Sequence, residues 1–354
     1  MTKNVQANAA GLTGLAYALA QSDYRFKVRN IDLSAADMRS DKLNTLLTAI
    51  QQEPASDRGE KIKLAQGWRY VQQFSRISLD NHSLTRLKTG GVYVILGGAG
   101  SVGSVITRYL LADYQATVIW LGRKPLSDNV VQQKLAQLNH PSLYYYQADA
   151  NDLASITTVI HELKQRFGQI NGAIFSGLVF AYERPLAELS EAEFVEVCTI
   201  KTTGSRNFYQ AFSDTALDFM CYFSSIQTFA FLSAKDSAAY AAGISFTDSL
   251  VHSLKSQSCF PIGMINWGYW ADTTSGTALE QRLAQYFGLI SDEQGWRCFQ
   301  AFIELLCSDR LSQLLCMNAS ETVRALINCL DEAIISLAQT QDSLLDALFD
   351  ELDA

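Results

Sequence analysis

The stretch between Gly90 and Tyr114 constrains this chain most. An apolar run, GGVYVILGG, enters a glycine turn, Gly98-Ala99-Gly100-Ser101-Val102-Gly103, and the turn opens into a helical pattern from about Val102 to Tyr114. A strand, a GxGxxG and a helix in that order are the start of a dinucleotide-binding βαβ unit. The glycines permit a tight turn, close approach of backbone to a pyrophosphate, and close packing of helix on strand. The helix N-terminus then offers free N–H groups and a positive dipole end to phosphate. Glycine turns also serve purely structural ends, so the surrounding pattern has to decide.

Downstream, strand-like and helix-like segments alternate, the sign of a parallel sheet with crossover helices. ATVIWLGR, SLYYYQADA, INGAIFSG, FMCYFSS and PIGMINWG read as further strands. Helical stretches fall near 128–138, over Ser155–Phe167, over Ser190–Phe212 and over about Asp236–Leu254. The helix at 190 opens with Ser190 and Glu193, a capping box. Six strands with intervening helices predict an α/β fold, a doubly wound Rossmann-like parallel sheet, over residues 87–330. Upstream, Ala9–Ala20 and Leu43–Gln52 read as helices, RFKVRNIDL and WRYVQQFSRISL as strands. That is too little for a sheet of its own, and predicts a partial α/β structural subdomain over 1–86. Its half size is what a segment cut from a longer chain would show.

Residues 331–354 form an acidic tail. With Leu330 they contain seven acids and no Lys or Arg, against a net charge of −8 for the whole chain. Leu344, Leu345, Leu348, Phe349 and Leu352 mark one apolar face of a helix. Two readings stand for it: a terminal helix folded back on its own domain, or an acidic helix that docks a partner.

Composition excludes several functions. A negative chain has no bulk attraction for nucleic-acid phosphate or anionic lipid. No apolar run approaches the ~20 residues of a membrane helix, and the N-terminus lacks the form of a secretory signal. Seven cysteines are scattered singly beside only four histidines, so no metal site is expected. The expectation is a reduced, soluble, cytoplasmic protein.

Chemistry-bearing residues gather after the strands. Gly122-Arg123-Lys124 follows the second strand with no acid for a free ribose. Two cations there suit a 2′-phosphate, which favours NADPH over NADH, although a solvated basic turn would look the same. Asp149, after the third strand, is a candidate acceptor for an adenine amino group. Lys201 shares a helix stripe with Phe194, Val197, Cys198, Ser205, Phe208 and Phe212. A lysine facing a core needs a partner or a task, unless it snorkels to solvent. Ser225 ends the fifth strand, and Tyr240 sits among small residues. Singly each reads as structural. Together with Lys201 and a dinucleotide turn they form a carbonyl-reduction constellation, the cation lowering the pKa of the tyrosine.

Taken together, LGGAGSVG (96–103), LGRK (121–124), ADA (148–150), the helix KTTGSRNFY, FSSIQ, AAYAAGISFTD and MINWGYW resemble the short-chain dehydrogenase/reductase superfamily. Within it they are most similar to ketoreductase domains of modular polyketide synthases, of the type served by a free-standing acyltransferase. The resemblance covers most of 9–308 and leaves out the acidic tail. It implies Tyr240 as proton donor, Ser225 as holder of the carbonyl oxygen, and Lys201 as the residue that polarises Tyr240. It also implies NADPH held by Gly98, Gly100, Ser101, Val102, Gly103, Arg123 and Lys124, with Asp149 and Ala150 at the adenine and Ser176-Gly177 at the nicotinamide. The implied substrate is a β-ketoacyl chain on the phosphopantetheine arm of an acyl carrier protein, with neighbouring synthase domains as partners.

Departures from the family pattern keep a second reading open, a catalytically silent scaffold. Ile244 stands where the family has Asn, which removes a candidate water relay. Ser225 and Tyr240 are 15 residues apart, longer than usual. Leu96 replaces a Thr. The stereochemical fingerprints, Leu-Asp-Asp near 178–185 and Trp between Ser225 and Tyr240, are both missing.

Overall fold

A computed structural model describes residues 7–23, 25–39, 41–56, 58–79, 86–179, 184–229, 236–274, 276, 281, 286–327 and 329–335. At its centre is a parallel sheet of seven strands. In chain order these are β5 (Val92–Leu96), β6 (Thr117–Gly122), β7 (Leu143–Gln147), β8 (Gly172–Phe175), β9 (Phe219–Ser225), β10 (Ile262–Trp267) and β12 (Gln313–Cys316). Their spatial order is β12-β10-β9-β8-β5-β6-β7. The six expected strands are all present. The seventh, β12, is only four residues inside LSQLLCMN, too short to show a strand period.

Both faces of the sheet are covered, which is why its strands are nearly continuous apolar runs. On one face α3 (Ser101–Tyr114) and α10 (Asp292–Cys307) bury Ile106, Leu110, Trp296 and Phe299 against Ile95, Trp120 and Phe223. On the other, α5 (Leu153–Phe167), α7 (Ser205–Phe212) and α8 (Ala238–Leu254) bury Ile160, Phe208 and Val251 against Val94, Phe175 and Met264. The chain winds outward from β5 through β6 to β7, then returns to place β8 on the other side of β5. That reversal opens a crevice beyond the carboxyl ends of β5 and β8, where doubly wound sheets bind ligands.

The predicted helix over 190–212 is divided. Its capping box is present at Ser190 and Glu193. After α6 (Glu191–Thr199), however, Ile200–Gly204 forms a π-turn before α7 resumes the α-helix. The apolar stripe gives no warning, because one extra residue per turn shifts its phase without breaking it. Lys201 lies inside this π-turn.

The N-terminal region holds α1 (Ala7–Ser22), β1 (Asn30–Leu33), α2 (Leu43–Gln52), β2 (Lys61–Ala65) and β3 (Trp68–Val71). The three strands form a small sheet, β1 parallel to β2 and β2 antiparallel to β3. Gln66 and Gly67, both at positive φ (54° and 83°), make the two-residue turn of the β2–β3 hairpin. The single strand expected over WRYVQQFSRISL breaks at Gln72-Gln73. Its second half, β4 (Phe74–Leu79), pairs instead with β14 (Cys329–Ile335), in parallel. A strand therefore runs through the expected boundary at 330, and residues 331–335 belong to it. The amphipathic pattern at 344–352 lies outside the described residues.

Helix α1 packs along α8. Gly14 makes this contact close: a Cβ there would sit 2.1 Å from the Ala241 carbonyl oxygen. Tyr17 and Ala18 are buried with Ala238 and Ala241 in the resulting seam. No described helix is long and apolar enough to cross a membrane.

Candidate active site

The glycine turn lies in the crevice between β5 and β8. Gly97, at φ +79°, reverses the chain, and its N–H donates to the Leu121 carbonyl at 2.9 Å. The other glycines divide by role. A Cβ on Gly98 would fall 2.0 Å from Trp120, and one on Gly103 would fall 2.8 Å from Gly97 O. These two serve packing. Gly100 would meet only Gly97 O, at 3.2 Å, and it caps α3 with no side chain over the helix end. The first-turn amides of Ser101, Val102 and Gly103 thus face a place where backbone can approach an anion, as a pyrophosphate requires. Ser176 and Gly177 close the crevice from β8: a Cβ on Gly97 would touch Ser176 O at 2.8 Å.

At the end of β6, Arg123 is exposed, and no ion pair involves it among the described residues. Lys124 pairs with Asp128 at 3.1 Å, so it is partly neutralised and Arg123 is the better placed cation. Asp149 accepts from the Asn151 N–H at 2.9 Å, fixing its carboxylate at the end of β7. The neighbouring Ala150 is buried, and its carbonyl accepts from Asn207 Nδ2 at 3.0 Å. The residues present fit an adenine dinucleotide with a 2′-phosphate.

The catalytic candidates converge at the carboxyl end of β9. Ser225 is its last residue, and Tyr240, half-buried on the first turn of α8, hydrogen-bonds with the Ser225 side chain. The Ser225 Oγ also accepts from Gln227 N–H at 3.2 Å. Lys201 comes up from the π-turn. It is 3% exposed, and its Nζ donates to the Phe223 carbonyl at 2.9 Å and lies 5.5 Å from the centre of the Phe175 ring. Gly243 makes room for it, since a Cβ there would be 2.9 Å from Lys201 Cβ. Thr247 Oγ1 donates to the Lys201 carbonyl at 2.7 Å, which ties the π-turn to α8.

Burial, the largest cause, pushes the Tyr240 phenol up to about 12 even though the Ser225 hydrogen bond draws it down. The Lys201 ammonium is turned to the Phe223 carbonyl. Lys201 itself is lowered to about 8, mainly by burial, with Asp248 opposing that shift. Ile244 is fully buried on α8, between Tyr240 and Asp248. Among the described residues no cluster could hold a metal ion. A cavity of about 440 Å³ between the small sheet and Phe229 contains neither Tyr240 nor Lys201 in its lining.

Two polar residues were not singled out from sequence, Asp248 and Asn266, both buried beneath this site. The signal for Asp248 was available: a carboxylate two turns past Tyr240, in a helix segment otherwise built from small and apolar residues.

Comparison with known proteins agrees with this geometry. The family model described as KR domain matches residues 91–272. Polyketide synthase ThaG of Burkholderia thailandensis is 31% identical over 314 residues, which is 87% of this chain and 5% of that protein. Polyketide synthase PksN of Bacillus subtilis is 33% identical over 270 residues, 75% of this chain and again 5% of the relative. The chain thus spans about a twentieth of the length of these synthases. In fold it is similar to a ketoreductase domain from the bacillaene assembly line, with a TM-score of 0.74 at 22% identity, covering 90% of this chain and 76% of that one. It is similar also to a ketoreductase from the first module of phoslactomycin biosynthesis in Streptomyces sp. HK803, with a TM-score of 0.73 at 20% identity, covering 90% and 72%. Glycine crevice, Ser–Tyr–Lys convergence and sequence match lead to one assignment: the chain belongs to the KR-domain family found in polyketide synthases.

Proposed function

We propose that this chain is an NADPH-dependent β-ketoacyl reductase that acts on a thioester tethered to an acyl carrier protein, beside other domains of a synthase. The observation that carries the proposal is the meeting of Ser225 and Tyr240 at the end of β9, with Lys201 buried behind them. NADPH, when bound, supplies the hydride to the β-carbon. Tyr240 gives its phenolic proton to the oxygen of the same carbonyl, and Ser225 holds that oxygen by a hydrogen bond. A phenol raised to about 12 stays protonated through the neutral range, as a proton donor must. Lys201 supplies positive charge in a dry environment, where it favours the developing alkoxide.

A β-ketoacyl thioester, preferably carrier-bound, tests this when NADPH oxidation is followed in the parent chain and in Tyr240→Phe. Turnover in the parent and its near-loss in the variant, with NADPH binding kept, is the expected result. The second reading, a silent scaffold, draws on Ile244, whose buried apolar side chain removes the Asn position from any proton relay. It gains if the parent binds NADPH and turns nothing over.

A further inference from the structure

We infer that Asp248 is the buried counter-anion of Lys201 and, through Asn266, the anchor of the strand end that carries Ser225. It is a positioning residue for the constellation, and its role in turnover rests on the reductase reading above. Tyr240, Ile244 and Asp248 recur every four residues on α8 and so share one face. Asp248 is 7% exposed, and its Oδ2 accepts from Asn266 Nδ2 at 2.9 Å. The same amide nitrogen donates to the Ser225 carbonyl at 3.2 Å. Asn266, wholly buried on β10, is held at its other end too, where Oδ1 accepts from Gln313 Nε2 at 2.8 Å. The Gln313 side-chain oxygen in turn meets His252 Nε2 at 3.0 Å. One carboxylate thus fixes, through one amide, where β9 ends.

Charge supplies the second half of the inference. The Lys201 ammonium donates to a neutral carbonyl, which does not compensate a buried cation. Asp248 follows Thr247, whose hydroxyl donates to the Lys201 carbonyl at 2.7 Å, so the two charged residues meet where the π-turn is tied to α8, and Asp248 is the anion whose field favours the charged lysine. Burial, the largest influence, raises the Asp248 carboxyl above the usual carboxylate range, and the side chains of Ser224, Asn266 and Thr228 oppose that shift and favour the anion, although Oδ1 makes no hydrogen bond of ordinary geometry. The other titratable groups that sense Asp248 are Tyr17 from α1, and Tyr240 and His252 from α8 itself. Glu60 acts on Tyr17 and Tyr269 on Tyr240, while burial raises Cys198 beside the π-turn. Of all these, His252 is the one basic side chain, and it is exposed. The charge on Lys201 is therefore matched inside the protein by Asp248.

The test is the titration of Lys201, read by NMR of isotopically labelled lysine ammonium groups and assigned with Lys201→Met. In Asp248→Asn, Lys201 should titrate about one pH unit lower, a tenfold loss of proton affinity. The alkaline limb of the pH–rate profile should move down with it. The reciprocal measurement is the Asp248 carboxyl signal in Lys201→Met, which should titrate about one unit higher. A folded Asp248→Asn with unmoved Lys201 titration overturns the inference. If that variant does not fold, an unmoved Asp248 in Lys201→Met overturns it. So does a Lys201 that titrates below pH 7 in the parent chain. Should the parent fail to reduce any ketoacyl thioester, the reductase reading falls, and the two titrations still decide the pairing.

Discussion

Tyr240 and Lys201 titrate in an unusual order for a tyrosine beside a lysine. The phenol is held near 12 and the ammonium near 8, both by burial. The sign for turnover follows directly. Lys201 is a cation below its pKa and neutral above it, whereas Tyr240 keeps its proton until far higher pH. Reduction should therefore fall as pH rises through about 8, by Lys201 deprotonation, with no second loss from the phenol below about 11. A profile of kcat/KM from pH 6 to 10 checks this. Tyr240→Phe should lower kcat by about 10²- to 10⁴-fold and leave the NADPH Kd nearly unchanged. Arg123→Ala belongs to the same scale. Losing a charge-assisted contact to a 2′-phosphate should weaken NADPH by roughly ten- to a hundredfold and leave NADH unaffected, as titration of both nucleotides would show.

Among the elements, α1 and α8 make the contact most sensitive to a single atom. Gly14→Ala would drive a Cβ into the Ala241 backbone, and should cost about 1–3 kcal/mol as α1 shifts away. Gly11 is the control on the same helix. There a Cβ would lie 3.5 Å from Ala242 O, an ordinary contact, so Gly11→Ala should hold or raise Tm through helix propensity. Thermal unfolding of the two variants distinguishes them. The contrast also shows how far the sequence could be read. Strands β5, β6 and β8 to β10 were legible because burial on both faces makes them long apolar runs between turn residues. The glycine turn was legible for the same local reason, and so was the Ser190–Glu193 cap. What could not be read depends on partners distant in sequence. β4 finds its neighbour at 329–335, and Lys201 turns to Phe223 O because of where β9 lies. The π-turn at 200–204 exists against α8, and no period within KTTGSRNFY announces it.

The whole molecule is closed by β4 and β14, one from each side of the KR-matching segment. Shortening the chain to end at Ile335 should leave Tm and NADPH affinity unchanged, since β14 is kept. Ending it at Ala325 removes the partner of β4 and should lower Tm. Unfolding curves and nucleotide titrations on the two shortened chains test the difference. A Tm unaffected by the deeper cut would show that the β4–β14 pairing contributes little to the fold.

That pairing also bears on any attempt to graft this unit into another protein. A graft cut at the limits of the family match, 91 and 272, would leave behind α1, which braces the helix carrying Tyr240, and both strands of the clasp. The transplanted piece would contain every residue assigned a chemical task, without the parts that hold α8 in place. The unit of exchange is set by this clasp rather than by the catalytic residues. It runs at least from α1 through Ile335, with seams placed outside those limits.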